Sequence, residues 1–562
     1  MEWVAKEFKD KIDFVVWTGD SARHDNDEDL PRTREQVLEL NRFMVQKMAE
    51  AFGKHNGDEE DDNPNNDFVI PIVPNLGNND ILPHNILAKG PNSWTRIYSR
   101  LWSQFIPEVQ KHSFEQGGWF YVEVIPNKLA VFSLNTLYFF DSNAAADGCA
   151  MKSEPGYRQM EWLRIQLQFM RDRGMKAMLM GHVPPVRQEA KTSWDETCWQ
   201  KYTLWMRQFR DVIVSSHWGH FNYDHFMLQD FKDLDKDTKN GRMKYFHTVG
   251  SGDESDEIST QVKTDYFIQL RDEWAELPAP PKVKSDSWLD LVLGKNKDKK
   301  KQKKYLKKIG GKYAERFAAS FVSSSVVPNL MPTMRVFEYN TTGLEIHKSD
   351  FATIPPPAPF EFDDSEVDTT KKKKKKHKFT IPDAPSKSTP PGPAYSPQTL
   401  SLLKYTQYFA NLTYINNDFT QSSAANEDDV DAAKWHEGKH KGKKPHDKDY
   451  KPKPKKFKYE ILYDTKEDDV YRLKDLTMPN LLDLARRIGN YVPPKDDSLD
   501  VDTEVTSTDD VEEQGGKKKK KHKKGKKKKD PHRKENEAWY AFIRRAYVHT
   551  MSPEDIEEEF GH

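Results

Sequence analysis

Phe14-Val15-Val16-Trp17-Thr18-Gly19-Asp20 is an apolar run that ends in a glycine and a carboxylate, and this pattern recurs along the first half of the chain. Three more apolar runs lead into Gly77-Asn78-Asn79-Asp80, Gly181-His182 and Gly219-His220-Phe221-Asn222. Apolar runs of this length, interleaved with helical patterns, are typical of buried strands in an α/β or α+β sheet. Glycine allows the backbone to turn sharply past a strand end. We therefore expect Asp, Asn and His side chains from four strand ends to converge on a divalent metal ion.

In this order, the motifs resemble those of the calcineurin-like metallophosphoesterases, whose pattern runs Asp-x-His, Gly-Asp, Gly-Asn-His-Asp/Glu, Gly-His and Gly-His-x-His. The residues around them resemble a narrower group, the endopolyphosphatases of the fungal vacuole, which is a branch near the acid sphingomyelinases. This likeness rests on residues 18–25, 77–80 and 219–226, and on two later islands at 405–413 and 539–546. It implies a four-layer α/β/β/α sandwich and a hydrolase that cleaves internal phosphoanhydride bonds of inorganic polyphosphate.

The family resemblance also implies two divalent metal ions, which clamp phosphate oxygens and activate water in such sites. Asp20 would bridge them, and Asn78, His182 and His220 would complete the second-metal set. The bland alternative for Asp20 is a turn cap. The first-metal set is incomplete, because its Asp and His would come from an Asp-x-His motif that does not precede Asp20. Its other protein ligand would be Asn222, which suits Mg, Mn or Ca better than Zn. The identity of the metals (Mn, Mg, Co, Zn or Fe) therefore stays open.

Other residues near the motifs are candidates for proton transfer and substrate binding. Asn79 stands where the general family has a catalytic His, and it cannot protonate a leaving group. His24, four residues past Asp20, is the alternative donor that the sphingomyelinase-like branch implies. Arg23 could hold a neighbouring phosphate in a bidentate contact or form a surface ion pair. His217 and His225 are expected to support the site or the core.

The Asp-x-His motif of the family does not precede Asp20. The chain's only Asp-x-His is Asp530-Pro531-His532, which follows a lysine run with no strand before it. We expect the chain to begin inside a domain, with the motif and a membrane anchor encoded upstream, and to hydrolyse polyphosphate poorly or not at all as it stands. The resemblance places the enzyme in the vacuolar lumen. The sequons at Asn340 and Asn411 agree with a lumenal glycoprotein.

Cys149 and Cys198 are the only cysteines. Two thiols can form one bridge but not a disulfide framework. Since the resemblance implies an oxidising lumen, we expect a disulfide between them. A reduced, buried pair is the alternative.

Composition points to long solvated segments beside a globular core. Charged residues make up 31% of the 562 residues, and the formal net charge of −1 hides blocks of opposite sign. The mean hydropathy is −0.90, which is typical of a chain with much disordered sequence. The lysine runs favour solvated tails, although a polyanion would also bind them. Besides a polyphosphatase, the sequence allows a sphingomyelinase-like phosphodiesterase or a catalytically impaired protein that binds polyanions or nucleic acid; nucleic acid is the less expected partner, and the oligomeric state is open.

The predicted organisation follows these shifts in composition. We expect a catalytic domain at 1–275, a basic insert with return strands at 276–359, a disordered linker at 360–400, a packed island at 401–420, disordered lysine-rich sequence at 421–458, a structured island at 459–494, disordered sequence at 495–533 and a C-terminal helix at 534–562. Helical spacing predicts helices over 32–54, 94–111 and 157–173. Alternation predicts a hairpin from 119–124 and 129–134, and a strand at 334–339 paired with 344–347.

Overall fold

The computed structural model describes residues 1–24, 29–54, 67–188, 191–244, 260–281, 296–326, 330–345, 354–360, 376–416, 455–490 and 536–561. The helices are Glu2–Phe8, Arg34–Phe52, Ser93–Leu101, Lys111–Gly117, Pro155–Asp172, Glu196–Gln208, Thr260–Ala275, Asn296–Ile309, Leu412–Asn416, Met478–Gly489, Glu537–Ala546 and Pro553–Phe560. The strands are β1 (Val15–Trp17), β2 (Ile72–Pro74), β3 (Phe120–Ile125), β4 (Leu129–Ser133), β5 (Lys176–Met180), β6 (Ile213–Asn222), β7 (His225–Asp230), β8 (Arg242–Lys244), β9 (Phe317–Ser324), β10 (Thr333–Tyr339), β11 (Lys376–Lys378), β12 (Leu402–Phe409) and β13 (Glu460–Asp464). Within these ranges, no helix is long and apolar enough to span a membrane. The mixed α/β class predicted from the sequence is confirmed.

A six-stranded mixed sheet forms the centre of the molecule, in the order β3-β4-β5-β6-β9-β7. The pairs β4–β5, β5–β6 and β6–β9 are parallel, and the antiparallel strands β3 and β7 form its edges. Every residue of β4 is buried, as expected for a parallel strand covered on both faces. Because the parallel strands point the same way, the sequences that follow β5 and β6 come to the same edge of the sheet.

The first two strands form a separate parallel pair, with Val15 opposite Ile72. Three hydrogen bonds connect this pair to the central sheet at β4, one of them from Asn75 Nδ2 to the Ser133 hydroxyl at 2.8 Å. The Asn75 Nδ2 group donates to Leu134 O at 2.8 Å, and the Ser133 hydroxyl donates to Pro74 O at 2.7 Å. These bonds place the ends of β1 and β2 beside the ends of β5 and β6.

The structure extends the catalytic fold beyond residue 275, where the sequence analysis ended it. Strand β9, which the sequence did not predict, lies between β6 and β7, so part of the region 276–359 occupies an interior position of the central sheet. Residues 376–400, part of the predicted disordered linker, also pack onto the molecule. The buried Tyr395 hydroxyl donates to Phe317 O at 3.0 Å. The proline-rich composition of this segment predicted disorder, since composition alone does not show that a segment packs against distant parts of the chain. The predicted disordered stretches 421–454 and 495–533 lie outside the described residues.

The pairing predicted for the strand at 334–339 was wrong. Strand β10 pairs with β12, in antiparallel register from Thr333–Phe409 onward, and β12 pairs in turn with β13. Leu344 lies in a turn, where its N–H donates to Thr341 O, rather than in a strand. The nearer segment was the simpler prediction, whereas the actual partner is about 70 residues away along the sequence.

The helices at Arg34–Phe52 and Pro155–Asp172 and the β3–β4 hairpin confirm their predictions. The helix predicted over 94–111 is wrong in its second half, because helix Ser93–Leu101 ends well before it. Pro107 then separates this helix from Lys111–Gly117, since proline lacks the N–H that a continuing helix needs. The C-terminal region likewise contains two helices, the second of which begins at Pro553.

Cys149 and Cys198 are bonded, with their Cα atoms 4.8 Å apart. Cys198 lies in the first turn of helix Glu196–Gln208, and Cys149 lies in the loop before helix Pro155–Asp172. The disulfide therefore joins the first turn of one helix to the loop that precedes the other, across 49 residues of sequence.

Candidate metal centre

Four of the predicted ligands converge at the shared edge of the strands. The ligand atoms of Asp20, His182 and His220 all lie within 4.8 Å of one another. The fourth residue, Asn78, places its Oδ1 atom 2.7 Å from His182 Nε2 and 2.9 Å from His220 Nδ1. His182 Nε2 is also 3.1 Å from Asp20 Oδ2. The carboxylate, carboxamide and two imidazoles thus surround one point.

Glycines bring the first two loops into direct backbone contact. Gly19 has φ +91°, and a Cβ at this position would lie 2.5 Å from Gly77 N. A Cβ at Gly77 would overlap the Asp20 carboxylate. Asp20 itself adopts a left-handed backbone with φ 56°, which a non-glycine residue adopts at a cost. The glycines of both motifs are therefore needed for the close approach that exposes Asp20.

Asp80, which the sequence analysis left without a role, organises this loop pair. Its buried carboxylate accepts hydrogen bonds from the N–H groups of Asp20 (2.8 Å), Ser21 (2.9 Å) and Gly77 (2.9 Å). Burial and the nearby Asp20 carboxylate raise the pKa of Asp80. The sequence did contain a sign of this role: Asp80 is the acidic fourth residue of a motif that follows a buried strand.

The orientation of His182 tests whether the site fits a cation. Its Nδ1 atom is 2.8 Å from Thr18 O, so Nδ1–H donates there and the neutral ring keeps its lone pair on Nε2. That lone pair faces oxygen atoms of Asn78 and Asp20. Lone pairs directed at one point repel one another unless a cation lies between them. Carboxylate, amide oxygen and imidazole nitrogen are all ligands of divalent metals, so the residues fit a metal ion.

The electrostatics around Asp20 agree with this arrangement. Burial alone would raise the pKa of Asp20, but His182 and then His24 more than offset it and hold the pKa well below its usual range. Burial lowers the pKa of His182, and the carboxylate of Asp20 raises it above the ordinary value. Asp20 is therefore an anionic ligand near neutral pH.

The predicted catalytic residues lie close to Asp20, and one of them has a different contact from the expected one. Asn79 donates from its backbone N–H to Asp20 Oδ1 and from its side chain to Oδ2, each at 2.9 Å. It thereby fixes the plane of the carboxylate. His24 Nε2 lies 3.7 Å from Asp20 Oδ2. The Arg23 guanidinium instead contacts the backbone carbonyls of His24 and Leu30, so it braces its own loop.

Asn222 lies two residues beyond His220 at the end of β6, with φ 60°. Its backbone pairs with Ser324, and its side chain forms no hydrogen bond within the described ranges. Asp530 and His532, the only Asp-x-His of the sequence, fall outside those ranges. From the predicted first-metal set, the structure thus places Asp20 and Asn222 at the ends of β1 and β6.

Three further residues support the site and were missed from the sequence. The Asn78 Nδ2 group lies 3.0 Å from both His84 Nε2 and Asn85 Oδ1, so these two residues orient the carboxamide. The buried Arg32 donates to Asn79 O at 2.7 Å. Apart from their nearness to the motifs, nothing in the local sequence separates them from ordinary loop residues.

The two remaining histidines are part of the core. His217 Nε2 contacts the Ser215 hydroxyl at 2.8 Å, and burial followed by the charge of Arg335 lowers its pKa to about 3. His225 contacts Tyr223 O and the Tyr266 hydroxyl, each at 2.9 Å. Burial lowers the pKa of His225 to about 4.

Both asparagines of the sequons are described and bonded. Asn340 Nδ2 donates to Gln398 O at 3.2 Å. Asn411 Oδ1 accepts from Tyr414 N at 3.0 Å, at the start of the short helix Leu412–Asn416. Their glycosylation stays a prediction.

Comparison with known proteins gives several relatives that match most of this chain, although no protein-family profile matches it. An endopolyphosphatase of Neurospora crassa is 46% identical over 546 residues, which cover 90% of this chain and 72% of the relative. Endopolyphosphatases of Saccharomyces cerevisiae and Schizosaccharomyces pombe are each 33% identical and match 88% of this chain, and 75% and 73% of their own lengths. The chain belongs to the endopolyphosphatase family.

Proposed function

We propose that this protein hydrolyses internal phosphoanhydride bonds of inorganic polyphosphate and releases shorter chains. The observation that carries this proposal is the convergence of Asp20, Asn78, His182 and His220 at adjacent strand ends. They converge in a chain that is 46% identical to an endopolyphosphatase over most of its length. The carboxylate, amide and imidazole ligands suit a divalent metal, as hydrolysis of an anionic phosphoryl centre requires.

When bound, divalent metal ions neutralise phosphate oxygens and make water nucleophilic near neutral pH. The protein's own residues fix the geometry around them. Asn79 holds both oxygens of Asp20, and Asp80 holds the backbone N–H of the same residue. His182 is oriented by Thr18 O. Such supporting contacts reduce the reorganisation needed during the reaction.

We assign the leaving-group proton to His24. Its ring is about one-quarter exposed and lies beside Asp20, whereas Asn79 has no proton to transfer. The leaving group is itself a phosphate chain of low basicity, so it needs little proton transfer from the general acid. The Arg23 guanidinium donates to His24 O and so supports the loop that carries His24.

The finer predictions remain proposals. A second ion would use Asp20 with Asn222, whose carboxamide has no protein partner within the described ranges. A four-layer α/β/β/α arrangement is supported by the central sheet, the linked β1–β2 pair and their covering helices. The Cys149–Cys198 disulfide supports an oxidising lumen such as that of the vacuole.

A gel assay of long-chain polyphosphate tests the function. The full chain is incubated with Mn, Mg, Co or Zn in turn, and again with EDTA. We expect metal-dependent appearance of intermediate chain lengths, and no shortening by the variant Asp20→Asn. A ladder that contains only orthophosphate and full-length substrate would indicate cleavage from the ends. Release of phosphocholine from sphingomyelin without polyphosphate shortening would contradict the proposal.

A further inference from the structure

Helix Asn296–Ile309 presents a face of lysines. It is attached to the core through the buried Ile309 and the half-buried Tyr305 and Leu306. The Tyr305 hydroxyl accepts a hydrogen bond from Arg486 at 2.7 Å. Exposed lysines line the helix away from this contact, and we call the six that stand in two adjacent rows the lysine face: Lys299, Lys300, Lys303, Lys304, Lys307 and Lys308.

None of the six forms an ion pair with a residue that the structure describes. Acidic groups on adjoining elements already have arginine partners: Glu315 pairs with Arg210 at 3.1 Å, and Asp483 pairs with Arg486 at 3.3 Å. The lysines also repeat at i, i+4 in two rows, 299/303/307 and 300/304/308. Like charges at this spacing destabilise a helix by about 0.2–0.5 kcal/mol per pair. An anion that lies along both rows would relieve this repulsion.

The end of the helix lies far from the metal centre. Arg316 N donates to Ile309 O at 3.1 Å, so the last helical turn adjoins the start of β9. Strand β9 runs parallel to β6, and Asn222 at the end of β6 pairs with Ser324 at the end of β9. The eight residues of β9 span about 23 Å at about 3.3 Å per residue. One ligand can therefore touch both places only if it is a long chain.

We propose that the lysine face is an exosite for long-chain polyphosphate, which holds one part of the chain while another part occupies the metal centre. This inference rests on the proposed function, because it assigns the substrate of that site. Each lysine–phosphate contact releases counterions, so the contribution is additive along the chain and strongly salt-dependent. Tripolyphosphate is too short to reach both places and gains nothing from the lysine face.

The test compares a variant of the lysine face with a charge-matched control. The variant carries Lys303→Gln, Lys304→Gln, Lys307→Gln and Lys308→Gln; glutamine keeps the helix propensity and removes the charge. The control carries Lys54→Gln, Lys236→Gln, Lys387→Gln and Lys466→Gln, four exposed lysines on separate elements. A third variant replaces the four helix lysines by Arg.

Binding of fluorescently labelled long-chain polyphosphate to each full chain is measured in EDTA, so that no hydrolysis occurs, over a range of salt concentrations. We expect at least tenfold weaker binding by the glutamine variant, and a salt slope smaller by about 2–3 at roughly 0.7 per lost contact. The control and the arginine variant should bind like the unmodified protein. With metal added, the ratio of kcat/KM for long-chain polyphosphate to that for tripolyphosphate should fall in the glutamine variant alone.

Equal binding by the glutamine variant and the unmodified protein would overturn the inference, and so would an equal loss in the control. The inference also fails if the glutamine variant loses binding only to single-stranded nucleic acid or to anionic lipid vesicles. If the unmodified protein binds long-chain polyphosphate through the lysine face but cleaves none with any metal, the proposed function fails and the binding site stands.

Discussion

The metal centre and the junction with the C-terminal islands are built in opposite ways. The metal centre is assembled from short motifs with a glycine beside each strand end, and the ligand atoms of Asp20, His182 and His220 lie within 4.8 Å of one another. The junction is a fully buried cluster in which Arg335 pairs with Asp224, and the Tyr463 hydroxyl donates to Asp224 at 2.6 Å. Arg335 and Tyr463 belong to no motif, and Asp224 lies in the stretch 219–226 but not among the proposed metal ligands. Substitutions in the metal centre should therefore change the catalytic activity, whereas substitutions in the junction should change the free energy of unfolding.

Asp20→Asn should give the largest effect on activity. The variant loses the anionic ligand between the two imidazoles, and we expect kcat/KM for polyphosphate to fall on the order of 10³-fold. Asparagine tolerates the left-handed backbone at this position, and it removes both the attraction of Asp20 to His182 and its repulsion from Asp80, so the melting temperature should change little. Activity and thermal unfolding are measured on the same preparation. A large drop in melting temperature would show that Asp20 is a structural residue.

Arg335→Met should have the reverse effect. It leaves the Asp224 carboxylate buried without its guanidinium partner, which costs about 3–5 kcal/mol of unfolding free energy. The polyphosphatase activity of the fraction that remains folded should be nearly unchanged. Urea denaturation followed by tryptophan fluorescence measures the difference.

The matched control is Glu196→Gln, which breaks the half-exposed pair with Arg187. This change should cost under about 1 kcal/mol, because exposed pairs are screened by solvent. If both substitutions cost the same, the junction is no more than a surface contact, and the contrast between the two regions fails.

Acidification should lower the stability of the folded protein through two buried histidines of the core. Burial lowers the pKa values of His217 and His225 to about 3 and about 4, below the ordinary value of 6.5. Their contribution to stability is therefore complete above pH 6.5 and is lost as the pH falls towards those values. Between pH 7 and pH 5, each should cost about 2 kcal/mol of unfolding free energy.

The measurement is urea denaturation in EDTA at several pH values, with His225→Gln as the comparison. The variant should show a shallower loss of stability on acidification, since it lacks one group that takes up a proton on unfolding. Parallel curves for the two proteins would contradict this assignment.

The two regions also differ in how much of them can be predicted from sequence. The motif residues Asp20, Asn78, His182 and His220 were placed correctly relative to one another, because each follows a strand and parallel strands end at one edge. The position of β9 and the β10–β12 pairing could not be predicted in this way. Both depend on contacts between segments far apart in sequence, and alternating apolar residues do not state which strand will be the neighbour.

Supporting residues were the other gap in the prediction. Asp80 and His84 act through hydrogen bonds to Asp20 and Asn78, and such bonds depend on loop geometry that no spacing rule gives. Arg23 adds contacts of the same kind: its guanidinium donates to the backbone carbonyls of His24 and Leu30, and its role towards phosphate stays a prediction. A ligand type can be inferred from chemistry and position, but the direction of a long side chain follows from local packing.

Asn79→Ala should give the smallest effect, and it tests whether a residue that holds a ligand can be separated from the ligand itself. The change removes the side-chain donor to Asp20 Oδ2 but keeps the backbone donor to Oδ1. We expect metal affinity and kcat/KM to fall together by about tenfold, the lower end for loss of a supporting contact. Asn79→Asp should be more harmful, because it places a second negative charge within hydrogen-bonding distance of Asp20. Isothermal titration calorimetry with the metal ion measures the affinity. Asn240→Ala, at an exposed site, serves as the control. If Asn79→Ala matches the control while Asn79→Asp remains active, Asn79 does not position Asp20, and the order of the metal centre comes from its glycines and Asp80 alone.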